Sequence, residues 1–253
     1  MLLRRALVVL GILLTAGCTG GGSEDDAELT RGFTKDNITQ RMTDAMVAQG
    51  SMHVDMAIGA GPQSIEMAGD LVFGKDPSEY KMSVDYSQTG DEDVSVMWVD
   101  GIIFANFGES SDDKFVRIDP EDATSPMGQV LAPMMDEFDI TKSIAQFEDA
   151  ITDVEQEGDD TTIDGVEATP FQVTIDADRA KASGALDEDS GIKPGVSIEY
   201  TFYLDADDLL RRVEFSIDDA EAQMDITGFG ESFDIVAPPA AQVIDESEFQ
   251  ASA

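Results

Sequence analysis

The chain is poor in the residues from which most enzymes and metal proteins are built. Its 253 residues include one cysteine, Cys18, and one histidine, His53. With Cys18 at the amino-terminal edge and no other cysteine, the domain that follows is expected to hold no intramolecular disulfide, Cys/His zinc site or Cys-His pair. A Ser-His-Asp triad would have to use His53, and no serine sits in a G-x-S-x-G elbow. Phosphate cradles of the G-x-x-x-x-G-K-[ST] or G-x-G-x-x-G type are absent, as is a D-x-D-x-D-G calcium loop. Positive charge is scarce as well. Fifteen basic residues face 53 acidic ones, for a formal charge of −38. Nucleic acid and anionic headgroups both call for Lys and Arg, so neither is expected to bind this surface. The acids are scattered rather than clustered. That reads as a solvated, aggregation-resistant exterior suited to a salty medium, with cation binding as the alternative. No Pro/Gly/Ser-rich linker follows Phe33, so a single domain is expected.

The apolar run Ala6 to Leu14 is too short to span a bilayer. Preceded by Arg4 and Arg5 and followed by Leu14-Thr15-Ala16-Gly17-Cys18, it resembles the lipobox of a bacterial lipoprotein signal. Thr15 stands where Leu is usual. The resemblance implies cleavage after residue 17, a diacylglyceryl group on Cys18, and attachment to the outer face of the cell membrane. Residues 18–32, with GGGSEDDAE from Gly20 to Glu28, read as a hydrated tether.

What is abundant is apolar-polar alternation. Val196, Ile198, Tyr200, Phe202 and Leu204 alternate with polar residues, and Leu209, Val213, Phe215 and Ile217 resume the pattern after Ala206-Asp207-Asp208. Ala220, Ala222, Met224 and Ile226 form a third run. Three such runs joined by short turns predict an antiparallel meander with one dry face and one wet face. Arg211 interrupts the apolar series and is expected near a strand end. The same alternation marks Ser51 to Gly59, Gln63 to Phe73 and Tyr80 to Tyr86. His53 falls on the polar parity and is expected to be structural. Val94 to Phe107 reads as a hairpin closed by Asp100-Gly101, with arms apolar on both faces and therefore covered on both sides.

Helices are expected over Phe33 to Gln49, capped by Thr34, and after Ser125-Pro126, where Met127, Val130, Leu131, Met134, Met135 and Phe138 form a stripe kinked by Pro133. A further short helix should align Ile144, Phe147 and Ile151. Strands return from Thr152, and Asp178 to Leu186 is expected to hold one helical turn or two. Pro238-Pro239 is expected to end regular structure before an acidic tail, 246–253. The sum is an α+β fold of about ten or eleven strands in one large antiparallel sheet, with helices gathered on one face.

Several segments then resemble the LppX/LprG-type lipoproteins of actinobacterial cell envelopes, relatives of the LolA/LolB lipoprotein carriers. They are the lipobox, the Phe33 helix leading into SMHVDMAI, DKFVRIDPED, TTIDGVEATPFQVTID, YTFYLDADDLLRRVEFSI and FGESFDIVAPPAAQVID. Phe115, and Phe202 or Tyr203, stand where the family usually has tryptophan. The resemblance implies a U-shaped half-barrel over residues 33–245, with helices on its concave side enclosing a cavity for acyl chains. It implies lipid or glycolipid as ligand, an envelope transporter as partner, no cofactor, and no catalytic step.

The expected lining comes from apolar parity positions. In the first strand block these are Met56, Met67, Leu71, Met82, Trp98 and Phe104. Met134 comes from the helices. Phe171, Val173, Ile198, Phe202, Phe215, Met224 and Ile226 come from the later strands. Methionine is flexible and polarizable, and it serves both core filling and the lining of sites for varied apolar ligands. Two other readings stay open: an envelope sensor using the same half-barrel, and a hydrolase using a carboxylate pair that no motif singles out among 53 acids.

Overall fold

The computed structural model describes residues 32–60, 63–74, 79–89, 93–122, 124–129, 147–186, 190, 192–217 and 220–252. The lipobox, Cys18, the tether and Met134 lie outside them. In chain order the elements are α1 (Ile38–Gln49), β1 (Ser51–Ala60), β2 (Gln63–Val72), β3 (Lys81–Gln88), β4 (Val94–Val99), β5 (Ile102–Asn106) and β6 (Phe115–Ile118). Then come β7 (Ile151–Gln156), β8 (Thr161–Ile163), β9 (Val166–Asp176), α2 (Ala177–Ser183), β10 (Ser197–Asp205), β11 (Leu210–Ile217), β12 (Ala220–Thr227), β13 (Val243–Asp245) and α3 (Glu246–Ser252). Among the described residues, thirteen strands in a mostly antiparallel sheet, with few helices, bear out the α+β expectation and exceed its strand count. The chain divides into two compact units, Met1–Ala48 with Ile140–Phe215, and Gln49–Asp139 with Ser216–Ala253.

In the first unit the strands run in the order β11, β10, β9, β7, and β8 also pairs with β9. Register puts Ile198 opposite Ile175, Tyr200 opposite Val173 and Phe202 opposite Phe171, all on one face. Phe215 joins them opposite Tyr200. Helix α1 presents Ile38, Met42 and Met46, all fully buried, as its apolar stripe. Thr34 stands at its start: its carbonyl accepts from the Asn37 and Ile38 N–H groups at 3.1 and 3.0 Å, and its own N–H donates to Asn37 Oδ1 at 2.8 Å, as in a capping box. The Asp205 carboxylate organises the β10–β11 turn. It is 2% exposed, accepts from the Asp207 and Leu209 N–H groups, and binds Arg211 at 2.6 Å. Arg211 is thus placed by a buried partner. Ile151 is not helical: residues 147–150 are, and Ile151 opens β7 opposite Ile175.

In the second unit the order is β13, β6, β5, β4, β3, β2, β1, β12. Every pairing described there is antiparallel except β13 with β6. The β4–β5 turn has Asp100 and Gly101 both at positive φ, the type I′ geometry that Asp-Gly favours. Gly69 is required between β2 and β3, because a Cβ there would stand 2.7 Å from the Ser83 carbonyl oxygen. The β4–β5 hairpin is covered on both sides, as its composition predicted. Ile103, Ala105, Val116 and Ile118 pack with Met127, Ile244 and Phe249 on one face, and Val99 and Phe104 pack with Ile235 and Phe233 on the other.

The residues after β12 do this covering. Regular structure, expected to end at Pro238-Pro239, resumes beyond them in β13 and α3, and the segment wraps the sheet edge. Gly228, at φ 59, turns the chain against His53, and the Ser51 hydroxyl donates to the Glu231 carbonyl at 2.6 Å. Phe233 and Ile235 then lie on one face, β13 zips onto β6, and α3 lays Phe249 against Phe107 on the other. The Glu246 carboxylate accepts from the Met127 N–H at 2.6 Å and from the Ser125 hydroxyl, completing the cap that Ser125 begins.

Candidate functional site

The second unit has a broad dry face, and register shows what it is made of. Met56 sits opposite both Met224 and Met67; Met67 opposite Tyr86; Leu71 opposite Met82; Met82 opposite Trp98. Ile226 extends the face opposite Val54. Seven of the expected lining residues are therefore brought together: Met56, Met67, Leu71, Met82, Trp98, Met224 and Ile226. Alternation of side chains along each strand is what aligns them. Met56, Leu71, Met224 and Ile226 are buried. Met67, Met82, Tyr86, Val94, Val96 and Trp98 are only half-buried and form a continuous row across β2, β3 and β4. The Tyr86 hydroxyl closes one end of the row by donating to Gln88 at 2.7 Å.

Phe104 does not belong to this face. It pairs with Met97 and Arg117 on the reverse side and is buried beneath Ile235. Both arms of its hairpin are apolar on both sides, so parity alone could not assign it.

Phe171, Val173, Ile198 and Phe202 belong to the first unit and are buried, while Phe215 is half-buried there. Their surroundings are dense with rings. Phe33 meets Phe171 edge-on at 5.0 Å, Phe147 stacks on Phe202 at 6.3 Å, and Tyr200 lies 4.9 Å from Phe215. Burial pushes the Tyr200 phenol far above its ordinary range, so it stays neutral. Arg41 roofs the cluster, with its guanidinium 4.1 Å from the Phe33 ring and a bidentate hold on Asp208. This is packed core.

The reverse, wet face of the second unit holds a hollow of about 480 Å³. Short side chains, Ala57, Ala68, Ser87 and Ser95, leave the space, and Asp55, Glu66, Asp85, Asp93 and Asp225 surround it. No base lines it. Asp55 and Asp225 are direct cross-strand partners, an arrangement that opposes like charges. Among the described residues no group of three or more His, Cys, Asp or Glu is placed to hold a metal ion. Sequence reasoning missed the hollow, since only strand register reveals that small and acidic residues converge.

His53 flanks this region. Its Nδ1 lies 2.6 Å from Asp70 Oδ1 and its Nε2 3.2 Å from Asp55 Oδ2. Burial alone would push the imidazole down, but the Asp70 hydrogen bond and the charges of Asp55 and Asp70 outweigh it and raise the pKa. With both ring nitrogens facing carboxylates, His53 has no nitrogen left for a serine, in keeping with a structural role.

No family model matches the chain, and no curated protein matches it. Solved structures do. The lipoprotein LppX of Mycobacterium tuberculosis superposes with a TM-score of 0.54 at 16% identity, covering 79% of this chain and 96% of its own. LprF of Mycobacterium bovis gives 0.53 at 13% identity, with 81% and 97% covered. The Pseudomonas aeruginosa MucA/MucB complex is looser, at 0.40 and 12% identity over 82% of this chain and 59% of the other. The LppX and LprF matches establish a shared fold, which is the fold that the sequence segments resemble.

Proposed function

We propose that the chain is a membrane-anchored, extracytoplasmic lipoprotein that binds the acyl chains of a lipid or glycolipid and carries them between membrane and outer envelope. The observation behind this reading is the half-buried row Met67, Met82, Tyr86, Val94, Val96 and Trp98 on a methionine-rich face. Its setting in the LppX-type fold adds support. Acyl chains gain about 0.8 kcal/mol per buried methylene, so a wide dry surface holds them without specific polar contacts. Met56, Leu71, Met224 and Ile226 share the face of the row, Met134 lies outside the described residues, and no catalytic residue is assigned. Cys18, carrying a diacylglyceryl group, supplies the anchor. No described helix is long and apolar enough to cross a membrane.

Native mass spectrometry of the Cys18→Ser chain, expressed in a lipid-rich related host, tests the reading. A lipid-sized adduct is expected, and Met82→Lys should abolish it. A clean unliganded mass under those conditions would sink the carrier, and a tight protein partner in its place would favour a sensor.

A further inference from the structure

The half-buried apolar row and the acidic hollow occupy opposite faces of the same strands. Met67 follows Glu66 and precedes Ala68; Tyr86 lies between Asp85 and Ser87; Val94 lies between Asp93 and Ser95. These three residues of the row thus have walls of the hollow as chain neighbours on both sides, and Val96 adjoins Ser95; Met82 and Trp98 lie farther along β3 and β4. Five carboxylates, Asp55, Glu66, Asp85, Asp93 and Asp225, stand behind it. Only a sheet's thickness separates the faces, and layers in proteins are about 10 Å apart, close to the Debye length of about 10 Å at 0.1 M salt.

Few of the described bases stand beside these carboxylates: His53 is shared by Asp55 and Asp70, Lys81 precedes Met82 in β3, and Lys114, Arg179 and Lys193 belong to other segments. Arg41 is held by Asp208, Arg211 by Asp205, Arg212 by Glu214, Arg117 by Asp119 and Lys35 by Asp36. Lys181 donates to the Ile192 carbonyl. The chain as a whole carries −38. A phosphate or carboxylate brought to the row therefore meets a net excess of like charge, whereas an uncharged or cationic polar group does not.

We propose that the cargo is a lipid whose polar end is uncharged, zwitterionic or cationic, and that the carboxylates of the hollow act through the sheet to turn anionic lipids away. This rests on the carrier reading above and sharpens it. Selectivity is assigned to the reverse face, which never touches the ligand.

The full chain is incubated with vesicles of equimolar dioleoyl phosphatidylcholine and dioleoyl phosphatidylglycerol, re-isolated, and its bound lipid counted by mass spectrometry. At 0.1 M sodium chloride phosphatidylcholine should exceed phosphatidylglycerol by about tenfold, and at 1 M, where the Debye length is about 3 Å, by no more than about twofold. Equal uptake at 0.1 M, or a preference untouched by salt, overturns the inference and leaves the carrier standing. Uptake of neither lipid overturns both. A second arm combines Glu66→Gln, Asp85→Asn, Asp93→Asn and Asp225→Asn, sparing Asp55 beside His53. That variant should raise phosphatidylglycerol uptake several-fold and leave phosphatidylcholine unchanged. No rise, in a variant that still takes up phosphatidylcholine, also overturns the inference.

Discussion

The two units each carry an apolar sheet face, yet one is built from rings and the other from thioethers and aliphatics. In the first, Phe33, Phe147, Phe171, Tyr200, Phe202 and Phe215 interlock edge to face, with Phe202 entirely enclosed. In the second, Met56, Met67, Met82 and Met224 line up across paired strands, and part of the row stays half-buried. Rings have few rotamers and demand one arrangement, so they suit a region that must be rigid. Methionine has three rotatable bonds and adapts to what lies against it. One strand pattern thus serves two ends: the aromatic face stabilises the chain, and the methionine face is the proposed seat of a ligand.

The comparison breaks most directly at its two centres. Phe202→Ala should cost about 3–5 kcal/mol in chemical denaturation, the usual penalty for emptying an enclosed aromatic site. Met82→Ala should cost only about 1 kcal/mol, because that side chain is already half in contact with solvent. Equal losses would erase the distinction between a filled face and an adaptable one. Asp205→Ala comes next. It strands Arg211 and two turn N–H groups at once, for an expected loss of about 3 kcal/mol. A loss well under 1 kcal/mol would show that the β10–β11 turn holds without its carboxylate.

The smallest effect concerns the wet face of the second unit. His53 has a folded pKa raised above 6.5, so its contribution is complete below pH 6.5 and is lost as pH rises through the folded value. Between about pH 6 and 8 the carboxylates stay ionised, which isolates this one group. The denaturation midpoint of the native chain should fall across that window, and that of His53→Gln should stay flat. Parallel curves would mean that Asp55 and Asp70 do not hold the protonated ring.

Much of this was legible in the chain itself, for local reasons. Alternation identified β10 to β12, Asp100-Gly101 marked a tight hairpin, and the single polar parity of His53 placed it on the wet face. Phe104 was misassigned to the lining because β4 and β5 are apolar on both sides, and only the register with Arg117 separates the faces. A second Asp-Gly turn, Asp164-Gly165 between β8 and β9, has the same paired positive φ values and could have been recognised on the same grounds. Strand β13 could not have been. Its three residues, Val243 to Asp245, have no local signal, and their partner lies more than a hundred positions away in β6. Ile151 shared helical spacing with Phe147, but pairing with Ile175 prevailed over that local preference.

The joining of β13 to β6 sets an order of events for the growing polypeptide. Residues 115–118 emerge long before 243–245, so the outer backbone groups of β6 lack this partner while the intervening chain is made. An open strand edge of that kind recruits strands from other molecules. A premature stop anywhere between the two segments would leave a sticky margin, and the fragment should be lost to aggregates.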